Sequence, residues 1–239
     1  MFKWFCVICV VIFPIIPLFF KLRKFARHKD RYSLEYRYEY IRKFVKKLNK
    51  AFKKRIHCHN YEIINNPHGG RIYICNHQSM DDVLTLFELS KKPLAFISKI
   101  ENKNIIALGN AIKAIECFSI DRDDARQSLR VLRDAAKAAQ DGRDILLFPE
   151  GTRSLDGEIL EFKSALSMLV GMAKVETVII AIDGTAKTLK RTRYKKVDIS
   201  VRVCEPISYE QYLEHKNDFN EYCRDIMKNE LAIIRNEGK

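Results

Sequence analysis

The strongest constraint on the fold of this 239-residue chain is an alternation of short apolar runs with segments of helical periodicity. Five runs rich in Ile, Val and Phe have the length of buried strands, at residues 71–75, 94–98, 117–120, 145–148 and 178–182. Apolar residues recur at helical spacing at 83–89, 125–139 and 162–173. This alternation predicts an α/β fold, with a mostly parallel or mixed sheet flanked by helices. Residues 197–203 predict a further strand, expected at an edge, and 208–236 a mostly helical end.

Basic residues are concentrated near the N-terminus. The net charge is +13, and residues 21–55 hold 15 basic and 3 acidic side chains, so the rest of the chain is nearly neutral. A nucleic-acid-binding protein more often spreads cationic charge over its folded face. We therefore expect no nucleic-acid partner.

An uncharged apolar run of seventeen residues, 4–20, precedes this basic segment. Its length is the lower limit for crossing a bilayer, and Pro14 and Pro17 would kink a helix there, so a spanning and a half-inserted anchor both stay open. The run lacks a small-residue cleavage site, which argues against a signal peptide. The basic flank would remain in the cytoplasm, which predicts a membrane protein whose folded domain faces the cytoplasm.

Residues 34–52 predict a basic amphipathic helix, because apolar side chains recur every three or four positions. Such a helix either packs on the domain or lies on an anionic bilayer surface, and the neighbouring apolar run favours the second. The predicted organisation is a membrane anchor at 1–20, a membrane-surface helix at 21–56 and a folded domain at 57–239.

Seven scattered cysteines, among them Cys6 and Cys9 in the apolar run, suit a reducing compartment without structural disulfides. The triplet His57-Cys58-His59 is compatible with a metal site, but a solvated strand with alternating faces is favoured because no second ligand cluster has suitable spacing. We expect neither a metal nor a bound cofactor.

Four of the apolar runs end in polar residues, at 76–77, 121–122, 149–154 and 183–185. Ligands of open α/β sheets bind beyond the carboxyl ends of the strands. One site could therefore collect all four clusters.

The first cluster predicts a general base. Ser79 and Asp82 resemble a capping box that starts a helix, which leaves His77 in the strand-to-helix turn. Asp82 could then accept a hydrogen bond from one ring nitrogen and leave the other as a base. The alternatives are a plain helix cap for Asp82 and a polar loop residue for His77.

The third cluster predicts a phosphate site. A glycine-containing turn offers backbone N–H groups, and the planar guanidinium of Arg153 suits a phosphate. Glu150 could orient the turn or the arginine. The alternative is an ordinary surface turn.

Taken together, the segments 76–82, 120–122 and 148–154 resemble the 1-acylglycerol-3-phosphate acyltransferase family over roughly residues 60–190. The resemblance implies transfer of a fatty acyl group from acyl-CoA or an acyl carrier protein thioester to the sn-2 hydroxyl of lysophosphatidic acid, giving phosphatidic acid. The thioester is then a co-substrate, and the partners are the acceptor lipid, the acyl donor and an anionic bilayer.

The same resemblance implies roles for individual residues. His77 is the base and Asp82 its partner, while Lys99 matches a basic position upstream of the second motif. The implied phosphate-binding set is Arg122, Glu150, Gly151, Thr152 and Arg153.

The chain departs from the family pattern in two places. Residues 175–180 lack the two prolines usual in the fourth motif, and Glu116 stands near a common glycine. Both departures bear on acyl-chain or donor selection more than on catalysis. The alternative functions are acylation of another lysophospholipid and a non-catalytic membrane tether.

Overall fold

The computed structural model describes residues 13–154, 156–190 and 196–237. The strands of this part are β1 (Lys54–His59), β2 (Ile72–Cys75), β3 (Leu94–Lys99), β4 (Phe118–Ile120), β5 (Asp144–Leu147), β6 (Thr177–Asp183) and β7 (Val197–Val203). The α-helices are α1 (Phe13–Arg27), α2 (Leu34–Ala51), α3 (Tyr61–Asn65), α4 (Asp81–Leu89), α5 (Ile106–Ala114), α6 (Ala125–Gln140), α7 (Ala165–Ala173), α8 (Ala186–Lys190), α9 (Tyr209–Glu214) and α10 (Phe219–Glu237).

The strands form one mixed sheet in the order β1-β7-β6-β2-β5-β3-β4. All neighbouring strands are parallel except β6 and β7, which are antiparallel. Helices cover both faces: α6, α7 and α10 pack on one, and α1, α2, α4 and α5 on the other. The predicted α/β class is confirmed, and each of the five apolar runs forms a strand.

The expectation that 197–203 would be an edge strand is wrong, because β1 pairs in parallel along the outer side of β7. The apolar residues of β7 are buried, whereas Asp198 on its other face is exposed. The alternation in β7 therefore reflects a sheet face that is only partly covered. In β1 itself, half-buried and exposed residues alternate through His57 and His59, which confirms the strand interpretation of that triplet.

Helix α2 packs on the domain. Tyr38, Ile41 and Val45 on its apolar face are buried in the same core as strands β2 and β6, and the Tyr38 ring stacks on Phe87 of α4 with 4.4 Å between centroids. The apolar face of α2 therefore packs on the domain and does not lie on a bilayer surface, which is the interpretation that the sequence favoured. Amphipathic periodicity shows that one face is apolar, but it does not show whether protein or lipid covers that face.

The N-terminal segment is described from residue 13 onwards. Leu22 and Phe25 of α1 are buried against the domain, and β1 begins at Lys54, three residues before the predicted domain start. In the described part of the chain, no helix is both long enough and apolar enough to cross a membrane. The predicted anchor lies mainly in residues 1–12, which fall outside the described residues together with Cys6 and Cys9.

Candidate active site

The sheet order brings three of the four polar clusters together. Because β6, β2 and β5 are neighbours and parallel, the residues after their carboxyl ends meet at one edge of the sheet. The remaining cluster, residues 121–122, follows β4, which lies three strands from β2, a separation of about 14 Å. The site therefore forms from the turns after β2, β5 and β6.

His77 and Asp82 form a hydrogen-bonded pair in this site, with 2.7 Å between His77 Nδ1 and Asp82 Oδ2. The Asp82 side chain is fully buried, and that of His77 is 15% exposed. Since a carboxylate only accepts hydrogen bonds, Nδ1 carries a proton, and in the neutral imidazole the lone pair is therefore on Nε2. Nε2 has no hydrogen-bond partner in the part of the chain that the structure describes, so it is the free basic atom of the pair.

The start of α4 holds Asp82 in this position. Its Oδ2 also accepts hydrogen bonds from the backbone N–H groups of Gln78 (2.7 Å) and Ser79 (2.8 Å). The Ser79 hydroxyl in turn accepts from the N–H of Asp81, at 2.9 Å. The predicted helix start is thus confirmed to within a residue, and the positive end of the helix dipole favours the charge on Asp82.

The turn after β5 holds His77 from three sides. Its N–H donates to Glu150 Oε1 at 2.8 Å, and its carbonyl accepts from the N–H of Ser154, also at 2.8 Å. The ring of Phe148 stacks on the imidazole, with centroids 4.1 Å apart and an interplanar angle of 24°. The two motifs that the sequence presents separately are therefore one hydrogen-bonded unit.

Glu150 lies inside this unit and does not face solvent. It is 1% exposed, and its second oxygen accepts a hydrogen bond from the N–H of Leu160 at 2.9 Å. Burial raises the pKa of its carboxyl group. The implied place of Glu150 in a phosphate-binding set does not fit this geometry, because both oxygens are occupied by backbone donors. The other sequence interpretation, that it orients the turn, agrees with the contacts.

The next three residues form the open rim of the site. Gly151 has a φ of +71°, a conformation that favours glycine, and its N–H donates to the carbonyl of Phe148 at 3.1 Å. Thr152 and Arg153 are exposed. Across residues 13–154, 156–190 and 196–237, the Arg153 guanidinium has neither a hydrogen bond nor an ion pair. This guanidinium is therefore free to bind an anion.

Lys99 and Arg122 lie in a different cluster, at the ends of β3 and β4. The Lys99 ammonium contacts Glu101 at 2.5 Å. This hydrogen bond, together with the positive charges of Lys99 and Arg122, lowers the pKa of Glu101. Both cations are on the same edge of the sheet as His77, but they already have an acidic neighbour.

Three further side chains complete the site and were given no role from the sequence. Thr185 donates its hydroxyl to Asp82 Oδ1, and Gln78 Nε2 donates to Asp183 at 3.0 Å. The Asn76 amide bonds both the N–H and the carbonyl of Ile182, at 2.8 and 2.9 Å. The signal available beforehand was the polar cluster 183–185 at a strand end. The strand-end argument placed this cluster at the common site, but without the order β6-β2 it did not identify the contact with Asp82.

Cys75 and Ser79 lack the environment of an activated nucleophile. Cys75 is fully buried, and burial raises the pKa of its thiol well above its usual value. The Ser79 hydroxyl, also buried, lies 3.5 Å from the carbonyl of Thr185. Within the described ranges, no group of three or more His, Cys, Asp or Glu side chains could hold a metal ion.

Comparison with known proteins gives one family and several relatives. The family described as Acyltransferase matches residues 55–183. A 1-acyl-sn-glycerol-3-phosphate acyltransferase of Chlamydomonas reinhardtii is 36% identical over 118 residues, which cover 49% of this chain and 35% of that protein. A probable 1-acyl-sn-glycerol-3-phosphate acyltransferase of Mycoplasma pneumoniae is 30% identical over 179 residues, 68% of this chain and 66% of that protein.

The share of a relative's length that matches this chain differs from one relative to another. The matches to the algal protein and to two chloroplast relatives cover only 33–35% of their lengths. Among solved structures, the 1-acyl-sn-glycerophosphate (LPA) acyltransferase PlsC of Thermotoga maritima superposes with a TM-score of 0.75 over 98% of this chain and 93% of that one. At 22% identity, this likeness shows that the two chains share a fold.

Proposed function

The chain belongs to the acyltransferase family, and we propose that it moves a fatty acyl group from an acyl thioester to the sn-2 hydroxyl of 1-acylglycerol-3-phosphate. The product is phosphatidic acid, and the donor is acyl-CoA or an acyl carrier protein. The relatives named as 1-acyl-sn-glycerol-3-phosphate acyltransferases support this choice of acceptor. The observation that carries the proposal is the His77–Asp82 pair, which contacts the turn that bears Arg153; among the described residues, neither His77 Nε2 nor the Arg153 guanidinium has a partner.

The pair supplies the proton transfers of the reaction. His77 Nε2 takes the proton of the acceptor hydroxyl while its oxygen attacks the thioester carbonyl. The tetrahedral intermediate then breaks its C–S bond, and the imidazolium returns the proton to the leaving thiolate. Asp82 fixes the Nδ1–H tautomer and stabilises the imidazolium that forms between the two steps. No acyl-enzyme is required, and we propose no metal or bound cofactor.

The rim of the site binds the acceptor. We assign Arg153 to the acceptor phosphate, within the turn of Gly151 and Thr152, because its guanidinium is exposed and unpaired among the described residues. A clamped phosphate holds the hydroxyl close to His77, and such positioning lowers the barrier by reducing the entropy lost in the reaction step. Lys99 and Arg122 are secondary candidates on the same edge of the sheet.

The acceptor is a membrane lipid, so we propose that the protein works at an anionic bilayer, with the domain on the cytoplasmic side. The outer side of α2 supports the part of this proposal that concerns the bilayer, because Lys43, Lys46, Lys47 and Lys50 are all exposed there while the apolar side packs inward. Basic residues near an anionic surface are attracted to it.

An acyl-transfer assay tests this function. The purified chain is given lysophosphatidic acid with acyl-CoA or with acyl carrier protein thioester, and phosphatidic acid is measured by mass spectrometry. We expect product with at least one donor and less product from an acceptor without phosphate. His57→Ala, an exposed histidine of β1, is the control and should be fully active. Product from a different lysophospholipid alone would shift the assignment to that acceptor, and no product with any acceptor would favour the non-catalytic tether.

A further inference from the structure

Thr185 holds the side of Asp82 that His77 does not touch. Its side chain is fully buried, and its hydroxyl donates to Asp82 Oδ1, whereas His77 Nδ1 and two backbone N–H groups donate to Oδ2. The two carboxylate oxygens thus receive donors from two different turns, one after β2 and one after β6.

The turn that carries Thr185 is itself fixed. Gly184 has a φ of +94°, and a Cβ atom at this position would lie 2.4 Å from the carbonyl oxygen of Asp198 in β7. Helix α8 follows directly, and the carbonyl of Thr185 accepts a hydrogen bond from the N–H of Thr188 at 3.1 Å. The hydroxyl is therefore presented to Asp82 by a turn that has no room to shift toward β7.

The hydroxyl has one proton and two acceptors within reach. Gln78 Oε1 lies at 3.4 Å, which is a long distance for an O–H donor, whereas Asp82 Oδ1 is closer and charged. Hydrogen bonds to ionised acceptors are the stronger kind. The proton therefore goes to Asp82.

We propose that Thr185 is a positioning residue for the general base. The terminal torsion of an aspartate side chain is soft, and rotation about it moves both oxygens. Thr185 restrains this rotation at Oδ1, in addition to the three donors on Oδ2, and thereby helps to keep Oδ2 in line with His77 Nδ1–H, which leaves the lone pair on Nε2. The inference rests on the proposed acyl transfer, in which that lone pair takes the proton of the acceptor hydroxyl.

Kinetics of three variants test the role. Thr185→Val keeps the shape and removes the hydroxyl, and we expect kcat to fall about 10- to 100-fold, which is the contribution of one hydrogen bond to a charged group. The KM values for acceptor and donor should stay unchanged, because Thr185 is buried beneath the pair. Thr185→Ser restores the donor and should restore kcat.

Thr188→Val is the matched control. Thr188 is buried in the same segment, and its hydroxyl has no hydrogen-bond partner among the described residues. The substitution makes the same chemical change three residues away and should leave kcat unchanged. An equal loss of kcat in Thr185→Val and Thr188→Val would mean that altered packing, and not the lost hydrogen bond, lowers kcat. That result would overturn the proposal.

A measurement without substrate separates this inference from the proposed function. The ¹⁵N shifts of the His77 ring, assigned by their loss in His77→Ala, should show the Nδ1–H tautomer in the wild type and a mixture in Thr185→Val. An unchanged tautomer and kcat in Thr185→Val overturn the role of Thr185, whereas a wild type without acyl transfer contradicts the proposed function alone. If Thr185→Val does not fold, Thr185→Ala replaces it in both measurements.

Discussion

At the scale of the residue, Asp82 determines how the site is built. Its fully buried carboxylate accepts hydrogen bonds from His77, from two backbone N–H groups at the start of α4 and from Thr185. A buried charge is tolerated only when it is well hydrogen-bonded, so this set of donors stabilises the charged carboxylate next to the imidazole. The base and its support therefore depend on each other.

Glu150 supports the backbone of His77, and Glu150→Gln tests this. The amide can accept at only one of the two positions, so a donor would face the N–H of His77 or of Leu160. Leaving a buried donor unpaired costs about 1–3 kcal/mol. We expect a lower free energy of unfolding and a lower kcat, with an unchanged KM for the acceptor. Glu161→Gln, exposed on the same segment, is the control. A raised acceptor KM with normal stability would instead return Glu150 to the phosphate-binding set.

Arg153→Lys keeps the positive charge and removes the planar pair of donors. Because a guanidinium binds phosphate through two parallel hydrogen bonds, we expect a higher KM for lysophosphatidic acid and weaker discrimination against acceptors without phosphate. The KM for the donor should barely move, and Arg133→Lys, exposed on α6, should change neither constant. Equal effects on donor and acceptor would assign Arg153 to the turn or to the donor.

At the scale of the element, the apolar face of α2 packs on the core of the domain. Tyr38 is fully buried and stacks on Phe87, so Tyr38→Ala should lower the free energy of unfolding by about 3–5 kcal/mol in urea denaturation. Tyr36→Ala on the same helix, where the side chain is 51% exposed, should cost clearly less. Equal costs at the two positions would mean that the apolar face of α2 does not contribute to the core.

The sequence predicted elements whose signals are local. The strands with continuous apolar runs and the start of α4 belong to this class. So does the proximity of His77 and Asp82, which are five residues apart. Helix α5 was not predicted, although it packs against α1 and contributes to the same core. Its short sequence, Ile106–Ala114, carries no cap and little polar contrast between its faces.

Features that depend on strand order could not be predicted. The bond from Thr185 to Asp82 joins residues 103 positions apart, and that from Glu150 to His77 joins residues 73 apart. Both exist because β6 and β5 flank β2. The sequence also placed Arg122 at the common site, because it does not reveal the strand order. In the structure, two strands separate β4, which precedes Arg122, from β2.

At the scale of the whole molecule, charge is distributed so that α2 presents one cationic surface. Reversing Lys43, Lys46, Lys47 and Lys50 to Glu should abolish salt-sensitive binding to vesicles with anionic lipid, since each basic residue contributes about 1 kcal/mol near such a surface. The test uses chains that lack residues 1–12, because truncation at this point keeps every residue of α1 that the structure describes. Cosedimentation in low and high salt is the measurement.

The matched control reverses four basic residues on the opposite face of the sheet, where α6 exposes Arg126, Arg130, Arg133 and Lys137. This variant should bind vesicles like the parent chain. Salt should weaken binding of the parent, because the Debye length falls to about 3 Å at 1 M. Binding that ignores both salt and the reversal on α2 would contradict a membrane role for this surface.

The most direct measurement of the central claim compares phosphatidic acid formation by the wild type and by His77→Ala, with lysophosphatidic acid binding followed in parallel by calorimetry. If Nε2 is the general base, kcat should fall by about 10²- to 10⁴-fold while binding of the acceptor is retained. Asp82→Asn should lose less, because its amide oxygen can still accept from His77 while the amide group faces the Thr185 hydroxyl. A near-normal kcat in His77→Ala would contradict the mechanism.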